Sequence, residues 1–405
     1  MPTGDGLLAR LRPETGAFSP AQLIALAEAA ALHGNGLIEI TSRGSLQVRG
    51  LQDDTAPLFA DAVRTAGIGV ASGLGIETSP LAGLDPADKA DPLPLAAAIR
   101  AYCSDLAPSL APKFALVIDG GAPGLTSSLA DIRLEATDSQ TWAIAIGGRQ
   151  RGLLDAPDVP MAVRRALFVL AAKGPAARGR DLPENFLLPG LVSGTLPSAA
   201  PETPAIGARP TSIGNAFGIG LPYGQIEAPA LIAIARLAEA LGARDLRPAP
   251  HHVLLVTGLG RFGALRRQAA ELGLVTELDD PRRSVAACPG APRCASGHLA
   301  TKTLAEALLA VAPDLLAGLD LHVSGCLKGC AHPRPAALAL VGEAGGVAVL
   351  HEGAALGVVR QDEILDAVSR LDTLYRDNRQ AGETSESVLA RLGRARLSAA
   401  LSPER

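Results

Sequence analysis

One feature narrows the folds open to this chain more than any other: an ordered run of elements is written twice. Residues 20–33 carry helical apolar spacing, with Ser19 placed as N-cap, Pro20 at the first helical position and Gly34 at C′. Two short alternating strands follow, Leu37-Ile38-Glu39-Ile40-Thr41 and Leu46-Gln47-Val48-Arg49, then a helix over about 56–66. The order returns as a helix over 227–241 ending at Gly242, strands near 245–248 and 252–257, and a helix near 260–272. Setting Gly50 on Gly258 puts Leu51 on Leu259 and Thr41-Ser42-Arg43 on Ala249-Pro250-His251.

A second repeat lies between and after these. Thr78-Ser79-Pro80 is similar to Ala287-Cys288-Pro289, and each is followed by a helix, about 93–108 and 301–316. KFALVIDGG, Lys113 to Gly121, sits opposite GLDLHVSGC, Gly318 to Cys326. The strand Trp142–Ile146 and a helix near 160–173 match the strand Val347–Leu350 and a helix near 361–378. Single matches between Ala- and Leu-rich helices arise by chance, but a matched order of several elements does not readily do so. The expected segments are 1–68, 69–175, a Pro-, Ser-, Ala- and Gly-rich linker at 176–213, then 214–275 and 276–405. In this alignment Cys288 stands where the first copy has Ser79, and Cys326 where it has Gly121.

At 405 residues the chain is long enough for two or three domains with buried cores. Its net charge is −4, and Arg is interspersed with Asp and Glu, so it lacks the basic face that phosphate neutralisation demands of a nucleic-acid binder. No run approaches the ~20 apolar residues that cross a bilayer, and residues 21–32 are interrupted by Gln22 and Glu28. Residues 1–6 lack the order of a signal peptide. A cytoplasmic protein without membrane or nucleic-acid partners is expected, in which disulfides are unusual.

Four of the five cysteines form C-x5-C (Cys288, Cys294) and C-x3-C (Cys326, Cys330), within ACPGAPRC and SGCLKGC. Iron–sulfur clusters are generally held by four Cys thiolates, and two loops giving two each can reach a cube from different directions. Pro289, Gly290, Pro292, Gly325 and Gly329 allow tight loops with amides near the sulfurs. Zinc is the rival metal, although its structural loops favour C-x2–4-C, which only the second loop obeys. Unligated structural cysteines are the remaining reading. Cys103, on the apolar side of its helix, reads as a buried inert thiol.

A basic set lies elsewhere. In TSRGSLQVRG, a strand–turn–strand, alternation brings Arg43, Gln47 and Arg49 near one another, and Lys113 opens a later strand after Pro112. Arginine pairs bidentately with carboxylates and lysine adds a point charge, so a groove lined this way suits a polycarboxylate. Solvated surface is the plainer reading of any one of these residues.

ACPGAPRC with SGCLKGCAHP resembles the cluster motif of the sulfite and nitrite reductase superfamily; TSRGSLQVRG resembles its tetrapyrrole-binding strand pair, and Pro112-Lys113-Phe114 its active-site strand. The likeness covers nearly the whole chain and is greatest to the precorrin-3B synthase branch, which acts in aerobic cobalamin synthesis. It implies an α+β fold of mixed sheets, internally duplicated, with two ferredoxin-like half-domains forming a pseudo-twofold unit and two further α/β domains. It implies a [4Fe–4S] cluster on Cys288, Cys294, Cys326 and Cys330, substrate contacts from Arg43, Gln47, Arg49 and Lys113, and catalytic roles for Arg43 and Lys113. It further implies O2-dependent hydroxylation of precorrin-3A at C20 with γ-lactone formation, with electrons from a reduced nicotinamide or an electron-transfer protein. A mononuclear non-haem iron is also implied; His251, His252, His298, His322 and His332 are available, and no spacing selects ligands among them. The chain departs from the reductases at Ala115, where they place a second lysine, and at Leu327-Lys328, where they carry Pro-Asn. No basic residue stands in Gly73–Thr78, where they have an arginine. These losses argue against sulfite chemistry. A sirohaem-dependent sulfite or nitrite reductase, or a non-catalytic iron–sulfur carrier or tetrapyrrole-binding protein, are the alternatives.

Overall fold

The computed structural model describes residues 2–71, 73–122, 130–194, 203–332 and 334–402. The chain forms two compact units: Met1–Leu8, Arg49–Gln52 and Glu277–Arg405 in one, Ala9–Val48 and Asp53–Thr276 in the other. The five expected segments therefore fold into two bodies, and the chain passes between them within single strands.

The larger unit holds the repeated half-domains. Helix Pro20–His33 begins as the sequence dictates: the Ser19 hydroxyl accepts from the Gln22 amide at 3.2 Å, and the Gln22 side chain accepts from the Ser19 amide at 2.9 Å. Its end differs from expectation. Gly34 caps the helix at φ −117°, and the left-handed residue is Gly36, φ 75°. Behind the helix, Leu37–Ile40 pairs antiparallel with Leu46–Leu51, placing Glu39 opposite Gln47. The second copy repeats this with helix Ala228–Ala240 and the antiparallel strands Asp245–Ala249 and Val253–Leu259.

The copies exchange strands. Gln225–Glu227, just before the second helix, pairs with Leu37–Ile40 of the first copy, while Phe18, just before the first helix, bridges to Leu246 of the second. The two helices pack on each other, and the hairpin turns meet where Arg43 bridges to Pro250. Backbone strain repeats as well. Gly50 and Gly258, aligned from sequence, have φ 73° and 75°, and Gly6 and Gly214 have φ 116° and 115°. A Cβ at Gly6 would stand 2.6 Å from the Leu51 carbonyl oxygen, and one at Gly214 3.0 Å from that of Leu259. The same backbone approach thus requires glycine in each copy. The sequence linker is not wholly irregular: Gly207–Thr211 forms a strand on Gly214–Gly220, because its alternation is paired in register by that neighbour.

The α/β elements repeat too. In the larger unit the sheet runs Ile76–Thr78, Leu116–Asp119, Ile132–Ala136, Thr141–Ile146, Arg149–Asp155, with the first three parallel and the rest antiparallel. In the smaller unit the order Val285–Ala287, Leu321–Ser324, Leu338–Glu343, Gly346–His351, Ala354–Val359 has the same orientations. Even the register irregularity recurs, at Ile144/Ala145 and at Val349/Leu350. Cys103 is fully buried in the core of the first sheet with Leu116, Trp142 and Leu167. Burial pushes its thiol up to about 11, the inert state expected. Among the described residues no helix is long and apolar enough to cross a membrane.

Candidate functional site: a four-cysteine loop pair and an arginine-lined cavity

In the smaller unit the parallel strands Val285–Ala287 and Leu321–Ser324 end side by side, so the loops that follow them emerge together. Each carries two of the four cysteines. Three glycines let the loops close. A Cβ on Gly325 would meet the Cα atoms of Gly290 and Gly297, both at 3.2 Å, and the Cys288 sulfur at 3.6 Å. A Cβ on Gly297 would stand 2.7 Å from the Ala291 nitrogen. The Gly325 amide donates to Cys288 Sγ at 3.2 Å, and the His298 amide to the Gly325 carbonyl at 2.7 Å. Within the first loop the Cys294 amide donates to the Gly290 carbonyl at 2.7 Å, and the Thr301 hydroxyl holds the Cys288 carbonyl at 2.5 Å. Cys288 is buried, Cys294 and Cys326 half-buried, and Cys330 lies at the exposed edge. The surrounding protein and then the thiols of Cys288, Cys326 and Cys294 push the Cys330 pKa upward, with Arg49 opposing. The four thiols therefore share one local field. In the first copy, buried Ser79 and Gly121 occupy the matching loop positions, so that copy keeps the scaffold without the sulfurs.

Asp320, His322 and His332 lie near this loop. His322 is buried with Nε2 unpartnered, its ring 5.6 Å from that of His332, and burial followed by the His332 charge lowers its pKa to about 4. His332 faces Asp320 at 3.3 Å. Among the described residues, no three His, Cys, Asp or Glu side chains gather closely enough to hold a single ion.

The larger unit contains a cavity of about 570 Å³. The hairpin turn Arg43–Ser45, the segment Arg12–Gly16, the strand and loop at 73–80, helix Pro92–Tyr102 and Arg247 enclose it. Its arginines are Arg12, Arg43, Arg100 and Arg247, and their commitments differ. Arg247 is forked on Asp245 at 2.8 and 3.1 Å and donates to the Pro80 carbonyl at 3.0 Å. Arg12 donates to Ser45 Oγ at 3.1 Å and pairs with Glu77 at 3.2 Å. Among the described residues the guanidinium groups of Arg43 and Arg100 have no hydrogen-bond or ion-pair partner. Two cations thus face the cavity uncommitted.

The four basic-groove candidates are not brought together. Arg43 lines the cavity. Gln47 is buried in its sheet, where its amide, oriented to satisfy its neighbours, donates to Glu39 and accepts from Arg10 at 2.7 and 3.0 Å. Arg49 belongs to the smaller unit and holds Asp5 with two bonds, 2.9 and 2.8 Å. Lys113 is exposed and outside the cavity lining. Strand alternation brought Arg43, Gln47 and Arg49 near one another on paper but could not show that Gln47 and Arg49 already had acidic or polar partners. Arg12 and Arg100 escaped the sequence reading, because an arginine just past a strand end and one in the last turn of a helix both resemble solvated surface. His251 and His252 sit in a turn at φ 61° and 63°, not in a strand, and His252 is tied to the Ile40 carbonyl at 2.6 Å.

Known proteins agree with this architecture. The family model of the nitrite/sulfite reductase ferredoxin-like half domain matches residues 1–66. The structure named as Mycobacterium tuberculosis NirA protein superposes with a TM-score of 0.72 at 19% identity, covering 96% of this chain and 84% of that one. A ferredoxin–nitrite reductase of Synechococcus elongatus is 26% identical over 84% of this chain and 77% of its own. A precorrin-3B synthase of Sinorhizobium sp is 42% identical, covering 99% of this chain and 92% of that protein. Identity at that level across both units places this chain in the precorrin-3B synthase family, a branch related to the nitrite and sulfite reductases.

Proposed function

We propose that this chain is a precorrin-3B synthase, an oxidoreductase of cobalamin biosynthesis that hydroxylates precorrin-3A at C20 and forms a γ-lactone with a ring-A acetate. In balance, one atom of O2 enters the substrate and the other leaves as water, with two electrons and two protons consumed. The electrons come from a reduced nicotinamide or an electron-transfer protein. The observation that carries the reading is the full-length likeness to the Sinorhizobium synthase, joined to a cavity with two arginines that have no partner among the described residues.

Cys288, Cys294, Cys326 and Cys330 are the set that would hold a [4Fe–4S] cluster. Their thiols share one field, the glycine cradle leaves no space for Cβ atoms, and the Gly325 amide already points at a sulfur. Zinc loops favour C-x2–4-C, a spacing that Cys326 and Cys330 obey and Cys288 and Cys294 do not, whereas four thiolates on two loops suit a cube. When bound, the cluster supplies single electrons. The donor set for a mononuclear iron does not fit: no three suitable side chains converge among the described residues, and we assign no step to such a centre.

The chain's own residues act by binding. The cavity volume lies in the ~300–1,000 Å³ range of small-molecule sites. Arg43 and Arg100 meet carboxylates of the macrocycle, Arg43 from the hairpin turn and Arg100 from the helix, fixing its orientation through charge-assisted bonds. The Arg12–Glu77 pair keeps the remaining wall nearly neutral, so the cavity is selective for a few carboxylates and not for a small dense dianion. The test is anaerobic purification with iron, sulfide and sirohaem quantified, followed by oxygen uptake with and without precorrin-3A. Substrate-dependent uptake with gain of one oxygen atom is expected. One sirohaem per chain with sulfite-dependent electron consumption would move the chain to the reductases.

A further inference from the structure

The smaller unit carries a feature that neither the cysteine spacing nor the substrate cavity explains. The turn Thr3–Gly6 is packed onto the first cysteine loop. The Ala295 amide donates to the Gly4 carbonyl at 3.0 Å, and a Cβ on Gly4 would stand only 2.4 Å from the Cys294 sulfur. Backbone therefore covers this sulfur at a distance that only glycine allows. The next residue anchors the turn. Asp5 has a side chain only 2% exposed, accepts two bonds from Arg49 at 2.9 and 2.8 Å, and accepts a third from the Thr3 hydroxyl at 2.7 Å. The Gly6 carbonyl also lies 2.7 Å from the Thr3 hydroxyl and shares its single proton with Asp5, closing the turn on itself. On the other side, Lys328 of the second loop reaches Ser296 of the first at 2.9 Å.

A buried, bidentate carboxylate–guanidinium pair is a rigid joint, since breaking either half strands a charge. Here it joins the Thr3–Gly6 turn to the end of the strand Leu46–Leu51, and the turn in turn covers Cys294. We infer that Asp5 and Arg49 are positioning residues for the cofactor: they lock the Thr3–Gly6 turn as a cover over the Cys294 corner of the iron–sulfur cluster and slow the access of solvent and small reagents to it. Arg49 acts here through Asp5 rather than on substrate. A cover of this kind serves an enzyme that uses O2 and carries an oxygen-sensitive cofactor.

This inference rests on the cluster reading above, and the experiment separates the two. Wild type, Gly4→Ala, Asp5→Asn and Arg49→Lys are purified anaerobically as full chains, and iron and sulfide are measured. Release of iron to a chelator is then followed without O2, and the electron paramagnetic resonance spectrum of the reduced protein is recorded. The expected result is a cluster in wild type, at least several-fold faster iron release in Gly4→Ala and Asp5→Asn with an altered spectrum, and an intermediate rate in Arg49→Lys. Loss of the cluster from Gly4→Ala or Asp5→Asn alone also agrees with the cover. Wild-type rates and spectra in all three variants would overturn the cover while leaving the cluster in place. A wild-type protein without iron and sulfide would overturn the cluster reading, and the cover with it.

Discussion

Arg100 and Arg247 line the same cavity, yet their removal should have opposite consequences. Arg100 has no partner among the described residues, so Arg100→Ala should change stability by no more than about 0.5 kcal/mol, as for ordinary surface positions. It should cost substrate binding about 1.5–3 kcal/mol per lost charge-assisted bond, roughly 10- to 150-fold at 1.36 kcal/mol per decade. Arg247→Ala removes a fork from Asp245, whose side chain is 12% exposed, and leaves it Thr257 at 2.6 Å and the more distant Arg244 at 3.7 Å. Breaking such a pair costs about 3–5 kcal/mol because the remaining carboxylate stays buried. The pH dependence follows. Burial raises the Asp245 pKa, but hydrogen bonds from Arg247 and Thr257 and the charge of Arg247 bring it below the ordinary carboxylate value. A depressed pKa contributes stability that is present above the unfolded value, near 3.8, and is lost as pH falls through the folded value. The deficit of Arg247→Ala should therefore be large at pH 7 and shrink below about pH 4. Denaturant unfolding across pH, with equilibrium binding of precorrin-3A, measures both effects. An Arg100→Ala protein that unfolds early, or binds like wild type, would refute the division between free and committed arginines.

Replacing Cys326 by Ala should abolish stoichiometric iron and sulfide, whereas Cys103→Ala should retain both, as colorimetric iron and sulfide assays will show. Gly325→Ala should lower iron content and unfold earlier by thermal denaturation, since its Cβ would lie 3.2 Å from two Cα atoms that belong to backbone. Asp88 is raised to about 7, chiefly by burial, with the neighbouring charges of Asp85, Asp119 and Asp91 adding and the Ala122 amide opposing. A raised pKa means stability present below the unfolded value near 3.8 and lost progressively as pH climbs to about 7, so Asp88→Asn should raise the melting temperature most at pH 8, less at pH 5 and not below pH 4. Lys113→Ala should leave iron content and stability unchanged, since the lysine is exposed, and its turnover with precorrin-3A tests the family-based role.

The duplicated plan was legible in the chain because it is local in origin. Apolar periodicity, the Ser19 cap and the left-handed glycines at positions 50 and 258 express backbone preferences that each copy repeats in sequence. The pairing of the four cysteines on two adjoining loops was legible for a similar reason: each pair follows a strand that the local pattern marks. Partnership was not legible. Whether an arginine is free or committed depends on residues far away in sequence: Arg49 meets Asp5, Arg247 reaches the Pro80 carbonyl, and Arg100 meets none among the described residues. Alternation along a strand can assign a side chain to a face, but only the packed fold supplies what stands opposite that face. The sequence by itself therefore determined the repeat, the helices and strands, and the thiols able to carry a cluster. The tertiary structure decided which cations remain available to a ligand, because a buried carboxylate takes the nearest guanidinium first.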